Sequence, residues 1–313
     1  MRILITGGAG CLGANLVAEY LRQGHEVLVI DNFATGGPEA LPALPKFQLV
    51  IGSVANRDVV DAAFARFLPT HVIHAAASYK DPSDWREDEA TNVTGTINVV
   101  EAARRVAAKR FVYLQTALCY GRPDCIPIQV DHATRPFTSY GISKTAAEAY
   151  VAISDLSWIS LRLANVTGPH LAIGPIPTFY KRLKAGQKCF CTDAIRDFLD
   201  MSDFLELIRI ALHEDAPVGI FNASTGEGHT ILEVFQAVAA CLRISPSEPV
   251  PVVPPNSDDV AAVVLDPSLT NRALGWTAKV PFSESIARMI SWYEAHGVSA
   301  IHSHLQPAPT KMS

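Results

Sequence analysis

The chain reads as an α/β protein in which a doubly wound parallel sheet is accompanied by a smaller mixed α/β lobe. Three observations point there. Short apolar runs alternate with segments of helical spacing, a glycine-rich turn joins the first run to the first helix, and the texture becomes proline-rich after Asn165. Strand–helix alternation implies parallel pairing through right-handed crossovers. The predicted strands cover residues 2–6, 26–30, 47–51, 71–74, 110–114, 158–162 and 219–223, with helices between most of them. Ligands in such a sheet bind beyond the carboxyl ends of the strands. Gly168-Pro169, Gly174-Pro175-Ile176-Pro177 and the proline-rich stretch 246–255 mark turns and extended links. They divide the chain into a first domain, residues 1–166 and 195–225, and a second lobe, 167–194 and 226–313. The polar tail from His302 to Ser313 is expected to lie loose.

The first strand runs into Gly7, Gly10 and Gly13, with Cys11 and Leu12 between the last two, and then into a helix reaching Arg22. Free N–H groups at a helix N-terminus, together with the helix dipole, favour an anion. The turn is therefore a cradle for a diphosphate. Its G-x-x-G-x-x-G spacing is one residue wider than the Rossmann-type G-x-G-x-x-G fingerprint. The second strand ends in Asp31, 18 residues beyond Gly13. An acid there binds the adenine-ribose hydroxyls of NAD and repels the 2′-phosphate of NADP. Asn32 and Phe33 follow, with no arginine to receive that phosphate. NAD is the expected cofactor.

Tyr140-Gly141-Ile142-Ser143-Lys144 places a phenol and an ammonium four residues apart. On a helix such positions share a face, with Cβ atoms about 5–6 Å apart, so the Lys144 charge can stabilise a Tyr140 phenolate. A free tyrosine titrates near pH ~10, and an acid–base group works best near the operating pH. Lowering it by about three units takes roughly 4 kcal/mol, which the ammonium and a bound nicotinamide charge would supply together. Tyr-x-x-x-Lys is common in helices; its weight here comes from the cradle at the N-terminus.

These two motifs in this order resemble the extended short-chain dehydrogenase/reductase family, and further matches run along nearly the whole chain. Asn92-Val93-Thr94-Gly95-Thr96-Ile97-Asn98 is similar to the family's central-helix signature, and Phe111 to Gly121 to the strand that delivers its catalytic Ser or Thr. Arg162-Leu163-Ala164-Asn165-Val166-Thr167-Gly168-Pro169 resembles its R-x-x-N-V-x-G-P turn. Arg196-Asp197-Phe198, leading to Asp203, resembles its R-D-[FY]-x-x-V-x-D segment. Asp266-Pro267-Ser268 followed by Leu274-Gly275-Trp276 resembles the ending of the nucleotide-sugar branch. Within that branch the chain is similar to nucleotide-sugar 4-epimerases encoded with bacterial lipopolysaccharide O-antigen genes.

The resemblance implies a catalytic set of Tyr140, which deprotonates a sugar hydroxyl, Thr116, which shares that hydrogen bond, and Lys144, which also holds the nicotinamide ribose. It further implies cofactor contacts from Ser53, Val54, Ala75, Ala76, Ala77 and Asn92. For the substrate it implies Thr116, phosphate contacts from Asn165 and Arg196, and a small gate, Val263, beside the sugar's C2 substituent. The other reading of Arg196 is a salt bridge with Asp197, and that of Thr116 a hydroxyl capping backbone. Family dehydratases carry Asp-Glu after the Thr, whereas this chain has Ala117-Leu118. Apolar groups there leave redox at one carbon, which is all a 4-epimerase needs; a 4-keto-sugar reductase, a dehydratase and a catalytically silent dinucleotide sensor are the alternatives. Epimerases also carry a second phosphate-binding Arg where this chain has Asn256, and Lys181, Arg182 or Lys184 are candidates to compensate. Tyr79-Lys80 places the basic residue one position later than in the galactose epimerases. His74 reads as a satisfied strand-end histidine, and no partner is evident for His170 or His229.

A net charge of −5 over 313 residues, without a basic run, argues against nucleic acid. The first strand begins at residue 2, leaving no room for a signal peptide, and no apolar run is long enough to span a bilayer. The six cysteines are scattered and are expected to be reduced thiols in a cytoplasmic protein, without zinc-ligand spacing and hence with no metal. Residues 84–107 and 138–154 make helices apolar on more than one side, which must be buried twice. Burial inside one monomer is one solution; a homodimer through both helices, as the resemblance implies, is the other.

Overall fold

The computed structural model describes residues 1–79, 81–246, 248–254 and 259–298. Its spine is a seven-stranded sheet. The strands are β1 (Arg2–Thr6), β2 (Glu26–Asp31), β3 (Phe47–Ile51), β4 (His71–His74), β5 (Arg110–Thr116), β6 (Trp158–Leu163) and the edge strand Gly219–Ala223. They lie in the order edge strand, β6, β5, β4, β1, β2, β3, and every pairing is parallel. Each predicted strand is present. Three run further than predicted, to Asp31, Thr116 and Leu163. The extension of β5 carries the sheet to the Thr116 hydroxyl.

Apolar residues of β1 divide by the two-residue period of a strand. Ile3 and Ile5 face Leu16, Val17 and Tyr20 of the helix Cys11–Arg22 and Phe204 and Leu207 of the helix Met201–Ala211. Leu4 faces the opposite layer, with Phe64 of the helix Arg57–Phe67, Val99 and Ala103 of Gly95–Arg105, and Val151 of Ser139–Ala152. A sheet covered on both faces explains why the strands read as nearly unbroken apolar runs. The same packing places Val99, Val100, Ala102 and Ala103 within the monomer, so much of the double-sided apolarity of this helix is met without a partner.

A separate apolar cluster joins the helices Pro175–Lys184, Ile231–Leu242 and Phe282–His296 through Ile176, Phe179, Val234, Phe235, Ile286 and Met289. Beside it Ile195–Arg196 pairs with His229–Thr230 and with Ala262–Val263. The chain then recrosses as Phe198–Asp200, paired with Asn165–Thr167, before the helix Met201–Ala211 returns to the main sheet. Residues matching the family motifs lock this crossing. The Asp200 carboxylate caps that helix by accepting from Ser202 N–H (2.8 Å). Asp203 accepts from Lys279 N–H and Val280 N–H (both 2.9 Å), and Trp276 Nε1–H donates to the Asp203 carbonyl (3.0 Å).

The helix Ser139–Ala152 is seated on the sheet by a buried ion pair. Arg162 Nη2 lies 2.7 Å from Glu148 Oε2, and Ser160 Oγ–H donates to Glu148 Oε1 (2.6 Å). No helix among the described residues is long and apolar enough to cross a membrane. The tail 302–313 lies outside the described residues. Breaking a buried pair leaves an uncompensated charge at a cost of about 3–5 kcal/mol, whereas replacing both partners with apolar groups is often near neutral. Glu148→Leu should therefore lower the denaturant midpoint sharply, and Glu148→Leu with Arg162→Met should recover most of the loss.

Candidate active site

Three strand ends build the dinucleotide side. At the end of β1, Thr6 Oγ1 is hydrogen-bonded to His74 Nδ1 (2.6 Å) and accepts from Ala76 N–H (3.2 Å), while His74 Nε2 is hydrogen-bonded to Thr96 Oγ1 (2.9 Å). Burial lowers the His74 pKa to about 3, so the ring is neutral and satisfied, as its strand-end position suggested. Gly7 has φ +68, and a Cβ there would lie 2.7 Å from the Ala76 backbone. A Cβ on Gly13 would lie 2.1 Å from the Gly7 carbonyl, whereas one on Gly10 would meet nothing nearer than 3.4 Å. Gly7 thus lets the turn close on Ala75 and Ala76, Gly13 lets the helix start close on Gly7 and Gly8, and Gly10 stays open on its outer side. Gly10 is the N-cap of the helix, so the N–H groups of Cys11, Leu12 and Gly13 have no intrahelical acceptor.

Asp31 is held at the rim of this cradle. Its Oδ2 accepts from Ala9 N–H and its Oδ1 from Phe33 N–H, both at 2.8 Å. Asn32 Oδ1 accepts from Ala34 N–H (3.1 Å), and Ser53 Oγ from Ala55 N–H (3.2 Å). Val54 is buried, and a Cβ on Gly95 would come within 2.6 Å of it. Asn92 is spent on the protein itself: its Oδ1 accepts from Ser78 N–H (2.8 Å) and its Nδ2 donates to the Ser78 carbonyl (3.0 Å) and Ser143 Oγ (2.9 Å). That residue sits in a π-helical segment, Glu89–Thr94, between two α-helical stretches. Cys11 Sγ–H donates to the Pro169 carbonyl (3.4 Å), joined there by Asn15 Nδ2–H (3.0 Å); burial raises the Cys11 thiol to about 12. All six cysteines are free, and among the described residues no cluster has a metal-ligand arrangement. An open glycine turn, unsatisfied helix N–H groups and a fixed carboxylate fit an NAD diphosphate and adenine ribose.

Tyr140 and Lys144 lie on the helix Ser139–Ala152, which Thr138 caps by accepting from Gly141 N–H (3.1 Å). The Lys144 carbonyl accepts from Gln115 Nε2–H (2.8 Å) and Tyr113 O–H (3.2 Å), fixing this turn against β5. Lys144 Nζ lies 4.0 Å from the centre of the Tyr113 ring. The Thr116 hydroxyl accepts from Leu118 N–H (3.2 Å) and favours the ionised form of the Tyr140 phenol. The capping reading of Thr116 is thus met. The Tyr79 ring meets Tyr140 edge-on at 6.0 Å.

The electrostatics depart from the expectation that Lys144 acidifies Tyr140. Burial pushes the Tyr140 phenol above its ordinary pKa of 10, with Tyr79 and Asp88 adding to the rise and Thr116 opposing it. Burial also pulls the Lys144 ammonium from 10.5 to about 7, against the pull of Glu148. Desolvation outweighs pairing because both groups sit against an apolar sheet. Acidifying the phenol thus calls for positive charge beyond what the protein supplies.

On the substrate side, Arg196 pairs with Asp259 rather than with Asp197, and its Nη1–H donates to the Ile195 carbonyl (2.8 Å). Neighbouring residues on a strand point to opposite faces, which separates Arg196 from Asp197. Asp197 instead accepts from Thr225 Oγ1–H (2.7 Å) and Gly226 N–H (3.1 Å), and burial raises its carboxyl to about 6. Asn165 is exposed, its Nδ2–H on the Asp197 carbonyl (3.0 Å). Val263 lies in register with Arg196 and packs among Ala117, Cys119 and Tyr120. Lys184 is paired with Glu294 (3.1 Å) and Arg182 Nη1–H donates to the Lys188 carbonyl (2.9 Å). His170 meets Trp292 edge-on, and His229 stacks on Phe282. Asn256 and Lys80 lie outside the described residues. Sequence reasoning did not find Asp88, Gln115 or Tyr113. The last two stand one and three residues before Thr116 on β5; Asp88 had only its place four residues before Asn92 as a signal.

The folded pKa of Lys144 lies below its unfolded value, so between about pH 7 and 10.5 the unfolded chain binds the extra proton and stability rises with pH. Lys144→Met should accordingly raise the melting temperature of the cofactor-free protein. The gain should be larger at pH 7 than at pH ~10, where the lysine is already neutral in the fold, and calorimetry at the two pH values measures it.

With this geometry in hand, comparison with known proteins is informative. The pattern of the NAD dependent epimerase/dehydratase family matches residues 3–224. A UDP-glucose 4-epimerase of Corynebacterium glutamicum is 31% identical over 309 residues, covering 88% of this chain and 91% of that protein. The crystal structure of the Bordetella bronchiseptica enzyme WbmG in complex with NAD and UDP superposes with a TM-score of 0.94 at 60% identity, covering 98% of this chain and 99% of the other. That of the Bordetella bronchiseptica enzyme WbmH in complex with NAD+ gives 0.90 at 38% identity, over 95% and 99%. The motifs, the parallel sheet and these likenesses agree: the chain belongs to the NAD-dependent epimerase/dehydratase family.

Proposed function

We propose that the protein is an NAD-dependent nucleotide-sugar 4-epimerase acting on a UDP-hexose, UDP-N-acetylhexosamine or UDP-uronate through a transient 4-keto sugar. One observation carries this reading: Thr116 ends β5 beside the helix that carries Tyr140 and Lys144, and the residue after it, Ala117, is buried in an apolar cluster with Val263, with no acid or base where a dehydratase needs one. Bound NAD supplies the hydride acceptor and, in its oxidised form, positive charge near the phenol. Tyr140 takes the proton of the C4 hydroxyl as that carbon becomes a ketone, Thr116 shares the hydrogen bond, and Lys144 holds the ribose. Turning the ketose and reversing these steps on its other face gives the epimer. Orientation of the reacting carbon contributes much of the rate. Asp31, Gly7, Gly10 and Gly13 hold the dinucleotide, with Cys11, Leu12, Asn32, Ser53, Val54 and Ala75–Ala77 lining it. Asn92 takes part through the loop it fixes.

The nucleotide sugar is assigned to the second lobe, residues 167–194 and 226–313, with Asn165 and Arg196 on its phosphates and Val263 leaving room for an N-acetyl group. UDP is favoured as the nucleotide because WbmG, at 60% identity, was crystallised with NAD and UDP, and the related 4-epimerases act on UDP-sugars by name. Synthesis of a lipopolysaccharide O-antigen precursor in the cytoplasm is the role that the sequence resemblance favours. A homodimer is favoured by the apolar side chains on the outer side of the catalytic helix, where Ile142, Tyr150 and Ile153 are 53%, 43% and 80% exposed.

Incubation with a UDP-sugar panel and no added cofactor, followed by NMR at H4, should show interconversion of C4 epimers. UDP-N-acetylglucosamine should turn over at least as fast as UDP-glucose, and Tyr140→Phe should cut the rate by at least about a hundredfold. Conversion consuming stoichiometric NADH would mark a reductase, and bound NAD without any turnover a sensor. In sedimentation, Ile142→Glu with Ile153→Glu should turn a dimer into monomers; an unchanged mass would remove these helices from the interface.

A further inference from the structure

Asp88 is a buried carboxyl that the proposed reaction leaves without a task. It is 1% exposed and ends the helical turn Trp85–Asp88, where the backbone widens into the π-helical segment Glu89–Thr94. Neither Oδ1 nor Oδ2 has a hydrogen-bond partner among the described residues. Nearly all buried polar atoms find a partner, and an exception calls for a reason. The surroundings supply one. Asp88 lies within Coulombic reach of the Tyr140 phenol and opposes its ionisation. One turn along, Asn92 donates to Ser143 Oγ (2.9 Å), and Ser143 stands three residues after Tyr140, so the helical segment that follows Asp88 is pinned to the helix that carries the phenol. Wide turns of this kind occur often at functional sites.

A carboxyl in this position needs a donor, and the sugar of a nucleotide sugar carries O–H and, in the N-acetyl series, N–H groups around the carbon that would react. We propose that Asp88 is a substrate-binding residue whose carboxyl accepts a hydrogen bond from a sugar O–H or N–H group on the ring whose C4 is oxidised at Tyr140. The assignment rests on the nucleotide-sugar reading above and deepens it. The same contact would engage a group that opposes ionisation of the phenol, so seating the sugar also prepares the phenol.

The test is calorimetric titration in the Tyr140→Phe background, where ligands are not turned over, with UDP, UDP-glucose and UDP-N-acetylglucosamine as probes. Asp88→Asn keeps the shape of the side chain, and Asp88→Ala is the second variant. Both should weaken binding of at least one UDP-sugar by roughly tenfold or more while leaving UDP unchanged. Loss with both sugars identifies a hydroxyl as the donor, and loss with UDP-N-acetylglucosamine alone identifies the amide N–H. Undiminished affinity for both sugars, or equal weakening of sugar and UDP as a packing defect would give, overturns the proposal. The epimerase reading stands or falls separately, on C4 interconversion by the unaltered enzyme.

Discussion

The burial of an ammonium and a phenol one helical turn apart, against an apolar parallel sheet, is the constraint on which the rest of this site depends. Desolvation disfavours both charged forms, and the protein alone holds Lys144 near neutrality and Tyr140 firmly protonated. Such an arrangement persists because the backbone beneath it is over-determined. Gln115 and Tyr113 grip the Lys144 carbonyl, Arg162 and Glu148 clamp the far end of the helix, and Asn92 ties its first turns to the loop after β4. The chemistry is thus kept poised and incomplete, waiting for charge that a dinucleotide carries in.

Several residues that look functional in the motif pattern prove to be mechanical. Asp197, Asp200 and Asp203 bind backbone N–H groups, and Trp276 and Thr225 complete their network. Their common effect is to fix how the strand Ile195–Arg196, which carries Arg196 and aligns Val263, meets the end of the main sheet. Arg196 itself is engaged by Asp259, so its guanidinium is oriented by a carboxylate from the segment in which the related epimerases carry a further arginine. A buried, raised carboxyl at Asp197 would look catalytic on electrostatics alone; its full set of backbone donors says otherwise.

The strands and the glycine turn were legible because their causes are local. A two-residue period, a turn needing φ > 0 at Gly7 and a helix N-terminus behind it are properties of a few consecutive residues. The same holds for Tyr140 and Lys144, whose common face follows from helix geometry. What escaped was everything created by contact between distant segments. The Arg196 partner comes from Asp259, 63 residues away; the upward shift of Tyr140 comes first from burial and then from Tyr79 and Asp88 on another loop and helix; and the apolarity of the helix Gly95–Arg105 on two sides proved to be met largely by Phe64 and Val151 within the same core.

The order of elements, the parallel sheet, the glycine turn and the helical placement of Tyr140 and Lys144 were determined by the sequence alone, since each is written in spacing along the chain. The protonation balance of that pair, the partner of Arg196 and the isolation of Asp88 were decided only in three dimensions. The physical reason is that desolvation and Coulomb forces depend on which segments share a volume, and spacing along a chain does not record that.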